Sequence, residues 1–560
     1  MNNTIQVWTG SSEPVTVPDG ISAEKALAAI PGATEQAPRK DAVHENVAVF
    51  VNNEVRALTY RLHINANLEP IPLDTDPGQR VYRRSLCYAL GIAASRAFQD
   101  RRLLIGHSLG NAYFYSFDGH RATADDLQIL ERELHSIVDA DLTIERTVIG
   151  YTEALESFRK RRMEDAALLV ERHNYSEVPV YRCGDYLDLS YGPLVQRTGL
   201  LKTYRLELYE DGFLLAFPTA DDPESVTEGP RSRMLFEIYR EYKEWGRILG
   251  VSSVGQLNSL TEHGKIKEFI RVNEALHDKK IARIADGVSH ASESVRVVLI
   301  AGPSSSGKTT FTKKLAVQLT VVGLVPVIIS LDDYFVPREK TPRDAEGNYD
   351  FEQIGAIDVQ HLNDNLLALF AGEEIEVRSF NFKTGQPEYR GGRLKLPERG
   401  ILLMEGIHGL NDALTPRIPA ERKYKIYVSA LTQLNLDDHN RIATTDNRLI
   451  RRMVRDHQFR GHDAVSTLSM WPSVRRGENQ NIFPFQDSAD ATFNTALDYE
   501  LGVLRNYAEP LLRQVKPTDG VYHEAVQLQT FLRNFTGIPE KLVPHESILR
   551  EFIGDSGFHY

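Results

Sequence analysis

The sequence has few cysteines and no long hydrophobic segment. Its 560 residues include two cysteines, Cys87 and Cys183, too few for a disulfide framework or a four-cysteine zinc site. The longest apolar runs, such as residues 295–300 with Arg296 among them, fall far short of the ~20 residues that a membrane-spanning helix needs. The amino terminus has neither a basic nor an apolar signal region. We therefore expect a cytoplasmic protein with no membrane partner.

Basic residues are outnumbered by acidic ones. Lys plus Arg number 65 and Asp plus Glu 77, which gives a formal net charge of −12. This balance argues against binding of nucleic acid through overall charge, although it leaves room for a local basic patch. Hydrophobic residues at 42% and charged residues at 25% exclude wholesale disorder. A chain of this length is expected to contain about three or four domains.

Changes in composition divide the chain into five segments. Residues 1–74 show short alternating strands and one helix, and residues 75–218 mix strands with amphipathic helices in an α+β pattern. Residues 219–291 begin as a linker and continue as helix. From 292 to 515, apolar strands alternate with helices, which predicts an α/β domain with a parallel sheet. The remaining residues, 516–560, are predicted to form a helical tail.

A phosphate-binding motif follows the first strand of the fourth segment. Residues 302–309 read Gly-Pro-Ser-Ser-Ser-Gly-Lys-Thr and match G-x-x-x-x-G-K-[ST] at every fixed position. Glycines let backbone N–H groups converge on phosphate, and the following helix adds the positive end of its dipole. A chance Gly-Lys-Thr turn is the alternative, but the flanking strand and helix favour a nucleotide triphosphate site. The predicted ATP-binding residues are Gly302, Ser304, Ser305, Ser306, Gly307, Lys308, Thr309 and Thr310.

Two carboxylates stand at the ends of neighbouring predicted strands. Asp332 follows strand 327–330, and Glu405 follows strand 401–404. The carboxyl ends of parallel strands face the ligand crevice, so both side chains are expected there. Asp332 would accept the proton of an attacking hydroxyl or act through Mg²⁺, and Glu405 would lie near the metal. Either carboxylate alone would more ordinarily cap a helix or a turn.

An arginine-rich segment, 448–460, predicts a cationic helix face. Arginines three or four positions apart share one face, and such a face would neutralise a transferring phosphate. The alternatives are a solvated basic face and an RNA-binding patch, but the phosphate-binding loop favours a lid. No Asn-Lys-x-Asp motif follows, which disfavours a GTPase, while ATP and GTP both remain open as phosphate donors.

Residues 295–504 resemble the uridine kinase and phosphoribulokinase-like P-loop kinases. The matching segments are the phosphate-binding loop, Leu-Asp-Asp-Tyr-Phe at 331–335, Asp-Phe-Glu at 350–352, Glu-Gly-Ile at 405–407 and the arginines. The resemblance implies an ATP- and Mg²⁺-dependent kinase. The implied catalytic residues are Asp332, Lys308, Arg455 and Arg460, and the implied magnesium ligands are Thr309, Glu405 and Asp332.

The same resemblance implies an acceptor pocket. Glu352 stands where the family has an aspartate that binds ribose hydroxyls, and Arg452 is its companion. The other implied substrate-binding residues are Asp332, Phe335, Phe351, Phe380 and Phe382, although phenylalanines are more often core. Two base-reading positions hold Gly385 and Met470, which lack the hydrogen-bonding groups that separate one base from another. Uridine or cytidine is the expected acceptor, with another nucleoside or a different small alcohol as alternatives.

The N-terminal half resembles the N-terminal part of threonyl-tRNA synthetase, with a TGS module at 1–74 and a second additional, editing-type domain at 75–218. The resemblance is carried by residues 84–91, 105–115 and 186–193. In that family a His-x-x-x-His pair and a Cys-x-x-x-His pair share one site. Their positions here hold Arg84, Tyr88, Ser190 and Leu194. We therefore expect no zinc and no family-type deacylation, and we expect both cysteines to be buried.

The sequence thus predicts a kinase for a nucleoside-like small-molecule acceptor. This kinase is joined to an N-terminal half that resembles a different family. An RNA- or ribosome-associated P-loop ATPase is the main alternative, and a tRNA-editing hydrolase is disfavoured by the four altered positions. We interpret the N-terminal half first as a structural or dimerising platform, which is compatible with a homo-oligomer, or as a domain that regulates the kinase by binding a small molecule. Nucleic-acid binding ranks below both of these roles.

Overall fold

The computed structural model shows two compact units, each built from separate parts of the chain. The described residues are 3–32, 46–227, 232–343, 347, 349–381 and 383–559. The first unit consists of Met1–Gly264, Gln433–Ile442 and Glu509–Thr536. The second consists of Lys265–Thr432, Ala443–Ala508 and Gly537–Tyr560. The five predicted segment boundaries stay predictions, and Phe382 lies outside the described residues.

The first unit begins with a mixed five-stranded sheet in the order β2-β1-β5-β3-β4, crossed by one helix. Strand β1 alternates buried and exposed residues because one face packs on an apolar core that includes α1, whereas β3 is mostly buried. Ser22 caps that helix by accepting the backbone N–H of Lys25. The elements are β1 (Thr4–Trp8), β2 (Val15–Pro18), α1 (Ala23–Ala29), β3 (Asn46–Val51), β4 (Glu54–Arg56) and β5 (Ala66–Pro72).

The rest of the first unit is built around a long helix and two antiparallel sheets. The sheets have the orders β11-β12-β7-β6 and β10-β9-β8. Helix α2 is almost wholly buried between Val81 and Ala94, and Thr75 caps it. The elements are α2 (Asp76–Ala97), β6 (Leu103–Leu109), β7 (Ala112–Phe117), α3 (Ala124–Asp139), β8 (Glu145–Gly150), α4 (Tyr151–Lys160), α5 (Glu164–His173), β9 (Glu177–Cys183), β10 (Tyr186–Asp188), β11 (Arg205–Tyr209), β12 (Gly212–Ala216), α6 (Arg233–Leu249) and α7 (Val254–Glu262).

The second unit contains a parallel five-stranded sheet in the order β14-β17-β13-β18-β19. All five residues of the central strand β13 are buried, as expected for a strand covered on both faces. This sheet confirms the predicted α/β fold class. The elements up to the sheet's last strand are α8 (Ile266–His290), β13 (Val297–Ala301), α9 (Lys308–Val321), β14 (Val325–Ser330), α10 (Val359–Phe370), β15 (Glu374–Asn381), β16 (Gln386–Lys395), β17 (Gly400–Glu405), β18 (Lys423–Ser429), α11 (Thr444–Arg460), α12 (Ala464–Asn481) and β19 (Ala491–Asn494).

The C-terminal residues are less helical than predicted. The last helices are α13 (Glu500–Leu512), α14 (Tyr522–Leu532) and α15 (Arg550–Ile553). The pattern at 545–552 predicts a helix, but only its last three residues, 550–552, are helical. Residues before these form turns, in which the Ser547 hydroxyl accepts the backbone N–H of Leu549 at 3.2 Å. A serine hydroxyl that bonds to nearby backbone competes with helix in this way. Among the described residues, no helix is both long and apolar enough to cross a membrane.

The strand register gathers the candidate site at one edge of the parallel sheet. Glu405, the last residue of β17, pairs in register with Ile300 of β13 and with Ser330 of β14. The segments that follow these three strands therefore leave the sheet side by side. They carry the phosphate-binding loop, Asp332 and Glu405, as the parallel topology predicts.

Candidate active site

The phosphate-binding loop turns tightly between β13 and α9. Ser305 and Gly307 have positive φ angles of 58° and 79°, in the left-handed region that favours glycine. A Cβ atom added to Gly302 would lie 2.0 Å from the carbonyl oxygen of Val428, so no larger residue fits there. Lys308 Nζ donates to the carbonyl oxygen of Pro303 at 3.2 Å, across the mouth of the loop.

Two hydroxyl groups inside this loop have no hydrogen-bond partner among the described residues. They are Ser305 Oγ and Ser306 Oγ, and both side chains are buried. Buried polar atoms are normally paired, so these two groups need a partner that the protein itself does not supply. Phosphate oxygens accept hydrogen bonds from such groups, and the loop therefore fits a bound nucleotide phosphate.

Two buried ion pairs support the loop from behind. Glu478 accepts the backbone N–H of Ser304 at 2.9 Å and pairs with Arg448, which donates to the Ser304 carbonyl oxygen at 3.0 Å. Arg451 donates to the carbonyl oxygen of Ser305 at 3.3 Å. It pairs with Glu500, 2.5 Å away. These supporting residues are missed by the sequence reasoning, because helical spacing does not separate arginines that brace the loop from arginines that face phosphate.

Thr309 and Glu405 meet where the loop enters α9. Thr309 Oγ1 donates to Glu405 Oε1 at 3.1 Å. Burial raises the pKa of Glu405 to about 7, although nearby Lys308 opposes this shift. A hydroxyl and a carboxylate are oxygen ligands of the kind that Mg²⁺ takes together with water and substrate phosphates. This pair of ligands fits a magnesium ion that is shared with substrate phosphates. Among the described residues, no group of three or more His, Cys, Asp or Glu side chains could hold a metal ion.

Asp332 lies beside the same lysine, just after β14. Its backbone N–H donates to Ser330 Oγ at 3.3 Å. The side chain is accessible to solvent, but many protein atoms lie near its carboxylate. That crowding raises the pKa of Asp332 by desolvation, and the charges of Lys308 and Arg460 oppose the rise. An exposed carboxylate flanked by two cations is accessible to a substrate hydroxyl. The structure therefore brings Asp332 and Lys308 together, as predicted from the sequence.

The three predicted lid arginines converge on one buried carboxylate, Asp456. Arg455 donates to Asp456 Oδ1 through Nε and Nη2, at 3.0 and 2.8 Å. Arg452 Nε lies 3.2 Å from Asp456 Oδ2, and Arg460 Nη1 lies 3.5 Å from Oδ1. Arg452 also donates to Ser304 Oγ at 2.7 Å, which places it on the loop. Asp456 was not predicted as a site residue, although it directly follows Arg455 in the sequence.

Glu352 faces the loop from the predicted acceptor side. Burial raises its pKa to about 7, with Glu478 adding to the shift and Arg452 opposing it. The backbone of α12 passes close by, because a Cβ atom added to Gly477 would lie 2.5 Å from the Cβ of Glu352. Lys308 and Asp332 also act on this carboxylate. The structure therefore groups Glu352 with the predicted catalytic residues.

Three of the four predicted aromatic positions, Phe335, Phe351 and Phe380, form one cluster. The ring of Phe335 lies 5.9 Å from that of Phe351 and 5.6 Å from that of Phe380. Phe335 and Phe380 belong to the hydrophobic core, whereas Phe351 is half-buried at its edge. At the base-reading position, a Cβ atom added to Gly385 would lie 2.7 Å from Arg338 Cβ, and its φ is 72°. A histidine does not fit there without rearrangement.

In the first unit, the positions of the editing-type metal ligands make ordinary structural contacts. Arg84 donates to the carbonyl oxygen of Pro193 at 2.9 Å. The hydroxyl of Tyr88 donates to the backbone carbonyl oxygen of Tyr181 at 3.0 Å. Ser190 Oγ donates to Gly192 O at 2.9 Å, and Leu194 is fully buried. Both cysteines are buried, and burial raises the pKa of Cys87 to about 11. A reactive thiolate is therefore not favoured at Cys87.

Compared with the kinase family that it resembles, the sequence has an insertion at residues 430–446, and the segment Gln433–Ile442 within it belongs to the first unit. His439 Nδ1 lies 2.7 Å from Asp188 Oδ2, beside the strand-end motif at 186–193. Asp438 accepts a hydrogen bond from Arg102 Nε at 2.5 Å and two more from backbone N–H groups of α5. The insertion that the sequence places between two kinase elements is thus an integral part of the editing-like region.

Comparisons with known proteins agree with this division. Residues 297–500 match the Phosphoribulokinase / Uridine kinase family. The N-terminal region is similar to threonine–tRNA ligases, and the ligase of Desulforamulus reducens is 30% identical over 194 residues, which cover 34% of this chain and 31% of the ligase. The chain thus spans less than a third of that relative's length.

Solved structures that match part of this chain include two that are described as kinases. One is described as a possible uridine kinase from Bacillus stearothermophilus, with 20% identity, coverage of 36% of this chain and 89% of that chain, and a TM-score of 0.22. Another is D-glycerate 3-kinase from Cryptococcus neoformans, with 13% identity, coverage of 45% and 87%, and a TM-score of 0.20. Both resemblances predicted from the sequence are confirmed: a domain of the phosphoribulokinase and uridine kinase family follows a threonine–tRNA ligase-like region.

Proposed function

We propose that this chain is an ATP- and Mg²⁺-dependent kinase that phosphorylates a hydroxyl of a nucleoside-like acceptor, with uridine or cytidine as the first candidates. The observation that carries the proposal is the grouping of Lys308, Asp332 and Glu405 at the edge of the parallel sheet, where the charge of Lys308 acts on both carboxylates. The match of residues 297–500 to a kinase family supports a phosphotransferase.

In the proposed reaction, Asp332 accepts the proton of the acceptor hydroxyl while that oxygen bonds to the γ-phosphorus. The bond from this phosphorus to the β–γ bridging oxygen breaks, and ADP leaves. Desolvation by the surrounding protein atoms raises the pKa of Asp332, which makes its carboxylate a better base than an ordinary aspartate. Lys308 and the lid arginines neutralise the charge on the phosphates. Magnesium held by Thr309 and Glu405 would supply further charge neutralisation.

The acceptor is proposed to lie between Glu352 and the aromatic cluster. Glu352 and Arg452 are close enough to influence each other's charge, and a carboxylate beside a guanidinium can bind vicinal hydroxyls. A kinase for a non-nucleoside alcohol is the second candidate. The hairpin turn at Gly385 favours it, because this backbone has no room for the side chain that would read a base.

The threonine–tRNA ligase-like region is proposed to serve as a platform or a regulatory module in the cytoplasm. The altered positions Arg84, Tyr88, Ser190 and Leu194 support this role over editing, since the first three side chains donate to backbone carbonyl oxygens and leucine is not a metal ligand. RNA-dependent ATP hydrolysis is the outcome that would favour the RNA-associated alternative instead.

A substrate screen tests the proposal. Nucleosides, pentose phosphates and polyols are each incubated with ATP or GTP and Mg²⁺, ADP or GDP release is measured, and the product is identified by mass. A product heavier than the acceptor by one phosphoryl group is expected with uridine or cytidine. Phosphorylation of a polyol or sugar alone would establish the second candidate, and absence of product with every acceptor would contradict kinase function.

A further inference from the structure

The first turn of α9 is bonded to a carboxylate from the C-terminal tail. Thr310 is the third residue of this helix, where a backbone N–H has no partner within the helix. Glu551 Oε2 accepts that N–H at 3.0 Å and also accepts the hydroxyl Oγ1 of Thr310 at 2.7 Å. Thr310 is fully buried, and Glu551 is half-buried. One carboxylate oxygen of Glu551 thus accepts hydrogen bonds from both the backbone N–H and the hydroxyl of Thr310.

The tail segment that carries Glu551 is anchored on the loop and on α11. A Cβ atom added to Gly307 would lie 2.6 Å from Ile548 Cγ2, so this part of the tail packs directly on the end of the loop. Phe552 stacks under the guanidinium of Arg451, which lies 4.9 Å from the ring centre. The packing of Ile548 and Phe552, on either side of Glu551 in the sequence, therefore fixes the position of Glu551 against α9.

Both donors that Glu551 accepts are donors of the predicted nucleotide site. Thr310 directly follows the motif and is one of the predicted ATP-binding residues, and helix N-termini of this kind bind phosphate through such N–H groups. A carboxylate and a phosphate oxygen cannot take the same N–H and hydroxyl at once. Their negative charges also repel each other at contact distance. Glu551 therefore occupies a place that a nucleotide phosphate needs.

We propose that Glu551 is an internal competitor of the nucleotide and sets the affinity of the site. On nucleotide binding, the carboxylate leaves Thr310 and the phosphate takes over its two donors. This inference rests on the nucleotide site of the proposed function and is independent of the acceptor. A purely structural role, in which Glu551 only caps α9, makes the opposite prediction, since loss of a cap weakens the helix that holds the phosphates.

The test compares nucleotide binding by the full-length wild type, Glu551→Gln and the control Glu546→Gln. Glu546 lies exposed in the same tail segment, so its variant removes the same charge without touching Thr310. ATP and a non-hydrolysable analogue with Mg²⁺ are titrated by calorimetry, and unfolding temperatures are recorded for all three proteins. We expect Glu551→Gln to bind about fivefold more tightly, and we expect Glu546→Gln to match the wild type.

A second readout follows the tail itself. Hydrogen exchange of residues 545–553 is measured with and without nucleotide, and nucleotide is expected to speed exchange in the wild type, because the Glu551 contact is lost. Equal or weaker nucleotide binding by Glu551→Gln, at an unchanged unfolding temperature, overturns the inference and leaves the proposed kinase function standing. No nucleotide binding by any of the three proteins refutes both.

Discussion

The guanidinium of Arg455 donates twice to one oxygen of Asp456, at 3.0 and 2.8 Å. The same fully buried carboxylate lies within 3.5 Å of guanidinium nitrogens of Arg452 and Arg460. Three cations close together repel one another unless an anion lies among them. Asp456 is thus placed to hold the arginines as one group beside the phosphate-binding loop, acting through them without contact to substrate.

Replacing Asp456 with Asn is expected to lower kcat/KM about 10–100-fold, because the arginines lose the charge that aligns them. Nucleotide affinity is expected to fall together with kcat. Asp456→Glu retains the charge and should recover part of the activity. Steady-state kinetics and nucleotide titration of both variants check this, with unfolding temperatures as a control. Equal activity of Asp456→Asn and the wild type would show that the arginines need no buried partner.

Asp332→Asn is expected to lower kcat by about 10²–10⁴-fold while nucleotide affinity stays nearly unchanged, since the amide cannot accept the proton of the acceptor. Asp364→Asn is a matched control, because that carboxylate is exposed on α10. Single-turnover rates and nucleotide titration separate the two effects. Full activity in Asp332→Asn would refute its assignment as the base.

Gly302→Ala is expected to destabilise the second unit by about 1–3 kcal/mol and to weaken nucleotide binding, because its Cβ would lie 2.0 Å from a backbone carbonyl oxygen. Gly520→Ala serves as the control, since a Cβ atom there meets no atom within 4 Å. Denaturant unfolding and nucleotide titration measure the two effects. If both variants bind nucleotide like the wild type, the loop does not require glycine at position 302.

The His439–Asp188 pair predicts a pH dependence of the first unit. Burial disfavours the charged ring, but Asp188, with Asp438 and Asp437 behind it, outweighs burial and raises the pKa of His439 to about 9. Because this pKa is above the unfolded value of about 6.5, the pair stabilises the fold fully below pH 6.5. That stabilisation is lost as pH rises through 9.

Thermal unfolding from pH 6 to 10 measures this effect. The unfolding temperature of the wild type is expected to fall more steeply between pH 6.5 and 9 than that of His439→Gln, whose side chain does not titrate. Other titrating groups are common to both proteins, so the difference between the two curves reports on His439. Parallel curves would show that the ring stays neutral in the folded protein.

Much of the fold and part of the site could be predicted from the sequence, because they depend on neighbouring residues or on a simple topology. The strand, loop and helix around Lys308 form a contiguous motif whose glycines dictate its backbone. Asp332 and Glu405 could be placed together since each follows a strand of one parallel sheet. Thr309 and Glu405 are 96 residues apart, yet both could be predicted near one metal, Thr309 from the motif and Glu405 from its place at a strand end.

The type of site and the residues of its local motifs could thus be read from the amino-acid order. Which distant charges meet depends instead on how the chain packs. Glu551 contacts Thr310 from 241 residues away, and Glu478 and Asp456 accept arginines that helical spacing alone cannot sort. The inserted residues 433–442 fold into the other unit for the same reason. These pairings form because packing of distant segments brings the charged side chains together. A local sequence pattern contains no information about such distant neighbours.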